Sequence, residues 1–181
     1  MNTLLVGPVV LPIIGAALTV LVGRSRAAQR VIGLSVLTAV CVNAVALLVI
    51  VDRDGTQSTQ AGGGPAPLGI SLVADRFSAI MLTIGAIVLL AVLVYAIGQP
   101  GAERNHVGFQ SLYLVLAAGV AASFLTGDLF NLFVAFEMML TASYVLITLG
   151  GRADQVRSGM TYVVIGLIAS ILFLAALAFV Y

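Results

Sequence analysis

Six runs of about twenty apolar residues, set apart by short polar connections, decide what this chain can become. A helix needs about 20 mostly apolar residues to cross the ~30 Å hydrocarbon core of a bilayer. The runs are Leu4–Val22, Val31–Val51, Phe77–Ile97, Val107–Thr126, Leu129–Leu149 and Met160–Tyr181. The expected fold is therefore an all-α integral membrane protein, one transmembrane region over residues 1–181 with six transmembrane helices and an outside loop at 52–76. Composition excludes the soluble alternatives. Of the 181 residues, 61% are hydrophobic and 8% charged, where a soluble domain carries about 25% charge. Fifteen charges do not clothe a water-soluble enzyme of this size. A net charge of +1 without a basic cluster leaves no phosphate footprint, so no nucleic acid is expected as a partner. Low hydrophobicity, the mark of disorder, is absent.

The first run contains Pro8 and Pro12, which membrane helices tolerate when neighbours satisfy the freed carbonyls. It does not read as a cleaved signal peptide: no positive charge precedes it and three arginines follow. The connections carry the orientation. Arg24, Arg26, Arg30, Arg104, Arg152 and Arg157 fall on odd-numbered connections, and Arg53 and Arg76 on the second. Positive residues accumulate on the cytoplasmic side, so both termini are expected outside. The long second connection, Asp52–Arg76, is Gly-, Ser-, Thr-, Gln- and Pro-rich from Thr56 to Pro67 and reads as a mobile loop. Leu68–Leu72 then reads as a short extended piece, and Asp75 as the N-cap of the third helix.

Chemistry-bearing motifs are few. There is no phosphate-binding glycine loop, no HExxH and no Cys/His metal spacing, so neither a cofactor, a metal nor an enzymatic activity is expected. Cys41, the single cysteine, lies in an apolar run and reads as a small hydrophobe. His106 stands in a polar connection beside Glu103, Arg104 and Asn105, and reads as a solvated loop residue. Small residues recur four apart in the fourth run, Ala117 with Ala121, Ala118 with Ala122 and Gly119 with Ser123, as on a close-packing helix face.

One acid breaks the pattern. Glu137 is the ninth residue of its run, near the bilayer midplane, where an ionised side chain costs ~2.5–3.5 kcal/mol even on lenient scales. Desolvation favours the neutral acid and a nearby cation favours the ionised one. A glutamate whose cationic partner approaches and retreats is thus a proton switch. Thr141, Tyr144 and Thr148 follow at spacings of four, three and four on one helical face, a stripe of hydroxyls able to hold water. Asn131 lies about 120° off this stripe and Asp128 about 180° off. The alternative for Glu137 is a neutral hydrogen-bond partner of a neighbouring helix, and for Thr141 and Tyr144 ordinary packing hydroxyls. Asp128 reads either as the N-cap of the fifth helix or as an outer mouth for cations.

Gly127-Asp128-Leu129-Phe130-Asn131-Leu132-Phe133-Val134, then Phe136-Glu137 and Ala142-Ser143-Tyr144-Val145-Leu146, closely resemble the fifth helix of the D-type subunit of Mrp multisubunit cation/proton antiporters. Pro65–Ile70, Val73–Ala79 and the opening Leu11-Pro12 helix with its arginine connection agree, so the resemblance runs along the whole chain. More broadly the sequence is similar to the antiporter-like subunits of respiratory complex I. The resemblance implies a protein of about 14 helices built on an inverted five-helix repeat. It implies that the glutamate matching Glu137 is the essential acid of a proton channel, paired with a lysine on a broken seventh helix. It implies a hetero-oligomer with other antiporter subunits, in the plasma membrane of a bacterium, exchanging monovalent cations such as sodium for protons. This sequence has no lysine and ends at Tyr181, so it is expected to be the N-terminal part of such a protein. Two alternatives stand beside the antiporter: a proton-translocating component of a complex I-like oxidoreductase, and a non-transporting truncated or assembly fragment.

Overall fold

The structure, a computed structural model, describes residues 3–23, 25–61, 69–99, 108–151 and 153–180. Six helices and one hairpin follow in order: α1 Thr3–Val22, α2 Arg26–Asp54, β1 Gln57–Ala61, β2 Ile70–Ala74, α3 Arg76–Gly98, α4 Phe109–Leu125, α5 Leu129–Thr148 and α6 Ala153–Val180. The protein is an all-α membrane protein. Five of the helices are long and apolar enough to cross a bilayer, and α4 is a shorter apolar helix within the described residues. Its 17 residues span about 26 Å.

Hydropathy and helix ends part company where polar residues continue a helix beyond its apolar core. α2 starts at Arg26 rather than Val31 and runs on through Asp52, Arg53 and Asp54. α6 starts at Ala153 rather than Met160, taking in Asp154 and Arg157. Arginine is a good helix former, and at an interface its head reaches water while its stem stays on the helix. Two glycines end their helices in the left-handed region, Gly23 (φ 62°) after α1 and Gly151 (φ 62°) after α5. Each donates its N–H back, to Val20 O and Thr148 O. Arg24, Arg104, His106, Arg152, Tyr181 and the glycine-rich stretch 62–68 lie outside the described residues.

The expected mobile loop is corrected in part. Gln57–Ala61 is a strand, paired antiparallel with Ile70–Ala74 from Gln57↔Ala74 to Ala61↔Ile70. The polar composition of the first strand hides it, because pairing comes from the alternating β2. Leu72 and Ala74 point into the helices, fully or nearly buried, while Ile70 lies exposed.

α1, α2, α3 and α4 close a four-helix ring in which neighbours pack in that order and α4 returns to α1. α5 packs on α4, and α6 packs on α5. The ring holds two apolar layers. Near the hairpin, Leu5, Val40, Ala44, Leu47, Val51, Leu82 and Leu125 meet Leu72. Farther along, Leu37, Leu93, Tyr113, Leu114 and Ala117 form the second. α4 is the hub, and its small residues explain why. Ala117, Ala118, Gly119, Ala121 and Ala122 are all buried, so neighbouring backbones approach closely. At Gly119 an added Cβ would stand 3.0 Å from the backbone N of Met139 in α5.

Polar groups at the helix ends are tied locally. Buried Gln29 donates Nε2 to Thr19 O (3.2 Å) and Gly23 O, joining the end of α1 to the start of α2. At the hairpin end Arg76 pairs with Asp52 at 3.2 Å, both exposed, a contact worth about 0–1 kcal/mol. Asp75 caps α3 in a capping box: its Oδ1 accepts from Ser78 N at 2.7 Å, and its own N–H donates to Ser78 Oγ. These bonds hold the exposed carboxyl of Asp75 below its ordinary range, the Ser78 backbone N–H contributing most.

Candidate functional site

The site is built from the start of α5. The turn Thr126-Gly127-Asp128 is a closed hydrogen-bond network. Asp128 Oδ1 accepts from Phe130 N (2.7 Å) and Asn131 N (3.3 Å), the geometry of an N-cap. Asn131 Nδ2 donates back to Thr126 Oγ1 (3.0 Å), and that hydroxyl donates to Asp128 O (3.0 Å). Asn131 is thus spent on the turn. The hairpin seats on the same turn: Gly127 N donates to Ser71 O (2.9 Å), and Leu72 bridges Thr126. A Cβ on Gly127 would meet Val73 Cγ2 at 2.6 Å, so only glycine permits this approach. The cap and hairpin together set where α5 begins and how it is rotated.

Glu137 follows as the ninth residue of the 20-residue helix, about 12 Å along its axis. Its side chain is part-buried and receives a hydrogen bond from Ser170 Oγ of α6. It also lines a groove of about 380 Å³ between α4 and α5, with Thr141, Val134, Met138, Leu112 and Val115. The groove is apolar except for the carboxylate and the Thr141 hydroxyl.

The hydroxyl stripe divides between two neighbours. Thr141 joins Glu137 along the α4-side groove, with no hydrogen bond between them among the described residues. Tyr144 turns to α6, where its ring meets Tyr162 edge-on (centroids 5.0 Å) and its hydroxyl fills the space left by Gly166. Thr148 Oγ1 bonds its own helix at Tyr144 O (2.9 Å). Sequence reasoning missed Ser170. The signal was present, since it is the one polar side chain between Val163 and Val180, but its partner is legible only once α5 and α6 are in register. Among the described residues no three His, Cys, Asp or Glu side chains gather as a metal would require.

Residues 126–181, from the α5 cap onward, match the family described as NADH:quinone oxidoreductase/Mrp antiporter, TM. All 181 residues align at 41% identity with the D-type component of the Na(+)/H(+) antiporter of Alkalihalophilus pseudofirmus. The chain is related to the D-type subunits of Mrp antiporters. A second relative, antiporter subunit mnhD2 of Staphylococcus aureus, is 36% identical over the same 181 residues. The chain spans little more than a third of the length of these curated relatives, 37% and 36%. In three dimensions it matches a chain of the Mrp complex from Dietzia sp. DQ12-45-1b with a TM-score of 0.86, at 30% identity over 98% of this chain and 34% of that one. It also matches a chain of an archaeal respiratory complex, the membrane-bound sulfane sulfur reductase, with a TM-score of 0.83 at 25% identity, covering 99% of this chain and 36% of that one. The antiporter-like fold is thus shared by Mrp and respiratory relatives.

Proposed function

We propose that this chain is a membrane-embedded part of a monovalent cation (sodium)/proton antiporter complex in a bacterial plasma membrane, and that Glu137 carries its proton. The observation that supports this most is a carboxylate nine residues into an apolar helix, facing a groove and held by a neutral hydroxyl. A buried acid that served only to anchor helices would be met by enough donors to satisfy it. Here one donor is present among the described residues, and the groove leaves the other side approachable. The chain has no lysine, so the cation that draws the proton off comes from another segment, as the resemblance to the D-type antiporter subunits implies. When that cation approaches, the ionised form is favoured and the proton leaves; when it retreats, Glu137 takes a proton up. Thr141 and Tyr144 extend the polar path along α5.

The test uses the assembled complex. Glu137→Gln keeps shape and hydrogen bonding but removes ionisation; Glu137→Asp keeps ionisation and withdraws the carboxyl by one methylene. Gln should abolish sodium/proton exchange with assembly unchanged, and Asp should retain part of it. Wild-type exchange by an assembled Glu137→Gln complex from pH 7 to 9 would leave Glu137 a packing residue. The likeness to a respiratory complex favours a second reading, in which protons move without sodium under redox drive. Proton flux in proteoliposomes that is indifferent to sodium would select it.

A further inference from the structure

We propose that Ser170 is the positioning residue of Glu137: its hydroxyl fixes the carboxylate toward α6 and follows its protonation, donating to the ionised form and accepting from the neutral one. The inference rests on the reading of Glu137 as the proton-carrying acid.

Ser170 behaves unlike the other aliphatic hydroxyls of these helices. A serine or threonine inside a helix commonly bonds a carbonyl of its own preceding turn. Thr19 does so to Ala16, Thr83 to Ala79, Ser123 to Val120 and Thr148 to Tyr144. Among the described residues, Ser170 alone of the hydroxyls within helices donates to a side chain of another helix, Glu137 Oε1. Its neighbours on α6 fix it there. Gly159, Gly166, Phe173 and Leu177 share its face by helical spacing, and Gly159, Gly166 and Leu177 are the buried residues of α6. One turn before Ser170, Gly166 accommodates the Tyr144 hydroxyl. One turn after it, the Phe173 ring packs against Phe133 (6.0 Å) and edge-on against Phe136 (6.2 Å). These contacts lock the register of α6 on α5, so the Ser170 hydroxyl meets the carboxylate without choosing among partners.

A hydroxyl suits a group that must change charge. It has one donor and two acceptor lone pairs, so it serves both protonation states by rotating one hydrogen, with no helix movement. A lysine or arginine here would hold the glutamate ionised; an alanine would leave it to the apolar groove. Of the other groups around Glu137, Leu112 and Val115 of α4 are apolar, and Thr141 and Tyr144 of α5 make no hydrogen bond with it among the described residues. Tyr144 is the titratable side chain that interacts electrostatically with Glu137, and Tyr162 of α6 stands edge-on to its ring.

The test is sodium-dependent proton flux by the full complex in proteoliposomes, from pH 6.5 to 9.5, for Ser170→Ala, Ser170→Thr and Glu137→Gln. The infrared C=O band of the protonated carboxyl, assigned by its absence in Glu137→Gln, is recorded alongside. Removing a donor from the anion makes the proton harder to release, so Ser170→Ala should move the half-maximal pH about one pH unit toward alkaline. It should also raise the frequency of the C=O band, while Ser170→Thr follows the wild type. An alanine profile superimposed on wild type with an unmoved band overturns the proposal, as does lost amplitude at every pH without displacement. If alanine prevents assembly, Ser170→Cys replaces it; this keeps the volume with a weaker donor, and a profile identical to that of Thr overturns the proposal equally. Glu137→Gln with intact exchange removes the underlying reading of Glu137, whereas inactive Gln beside an undisplaced alanine removes the role of Ser170 alone.

Discussion

At the scale of single residues, what could be read from sequence was what short-range physics decides. Asp75 and Asp128 each precede an apolar run, and each accepts from backbone N–H groups two or three residues on; such bonds need only local chain geometry. Ser170 was out of reach because its partner lies 33 residues away. Asn43 was also missed: it sits in α2 where a Cβ on Gly7 of α1 would collide with its amide, a relation set by how two helices cross. The Asp75 cap gives a prediction with a definite sign. Its carboxyl is held below the ordinary range in the folded chain, so its stabilisation is full above the unfolded value of about 3.9 and fades as pH falls through the folded one. Asp75→Asn keeps a good cap without a titrating group. Thermal unfolding of the detergent-solubilised chain between pH 7 and 3 should therefore show a smaller acid-induced loss for Asn than for wild type. Asp75→Ala should cost about 1 kcal/mol at pH 7. Parallel wild-type and Asn curves would show that the capping box contributes no pH dependence.

At the scale of elements, hydropathy located every helix because the bilayer demands an apolar length, but it marked the membrane core of each helix rather than its ends. The hairpin shows the limit more sharply. β1 is Gln-Ser-Thr-Gln-Ala, a composition that argues for a loop, and becomes a strand because β2 offers it a partner and the α4–α5 turn anchors β2 through Gly127. The small-residue face of α4, read from spacing alone, is buried, and at Gly119 it meets the backbone of α5. A side chain there would press on Met139 backbone atoms at 3.0 and 3.1 Å, which cannot rotate away. Gly119→Val should therefore drive α5 from α4 and destabilise the chain by about 1–3 kcal/mol, with Gly119→Ala milder. Gly98, at the end of α3 with no atom within 4 Å of an added Cβ, is the control; Gly98→Val should unfold near the wild-type temperature. Equal melting temperatures for the Gly119 and Gly98 valine variants, followed by helical circular dichroism, would mean that α4 and α5 do not meet as closely as described.

At the scale of the whole molecule, the ring of α1 to α4 and the outward sequence α4–α5–α6 were not legible, since apolar periodicity says that a helix is in a membrane but not which helix is beside it. The result has a direction. Burial declines outward from the ring, and α6 leaves Ile165, Ile168, Ile171, Leu172 and Phe179 exposed, over half of each surface accessible. In a bilayer that face meets lipid or further helices of the longer proteins that the relatives represent. The same architecture makes the proposed orientation testable, because the hairpin and the α1–α2 connection lie at opposite ends of the bundle. Arg26 and Arg30 open α2 and Arg157 lies in the first turns of α6; arginine at these ends is expected to stay in the cytoplasm. The hairpin, which seats on the turn before α5, is then expected outside. With Cys41→Ser as background, single cysteines replacing Arg26, Gln60 and Gln155 sort the two ends by reaction with an impermeant maleimide. Right-side-out vesicles should label position 60 alone, and inverted vesicles positions 26 and 155. Labelling of position 60 only from the cytoplasmic face would invert the molecule, placing the Asp128 turn on the inside.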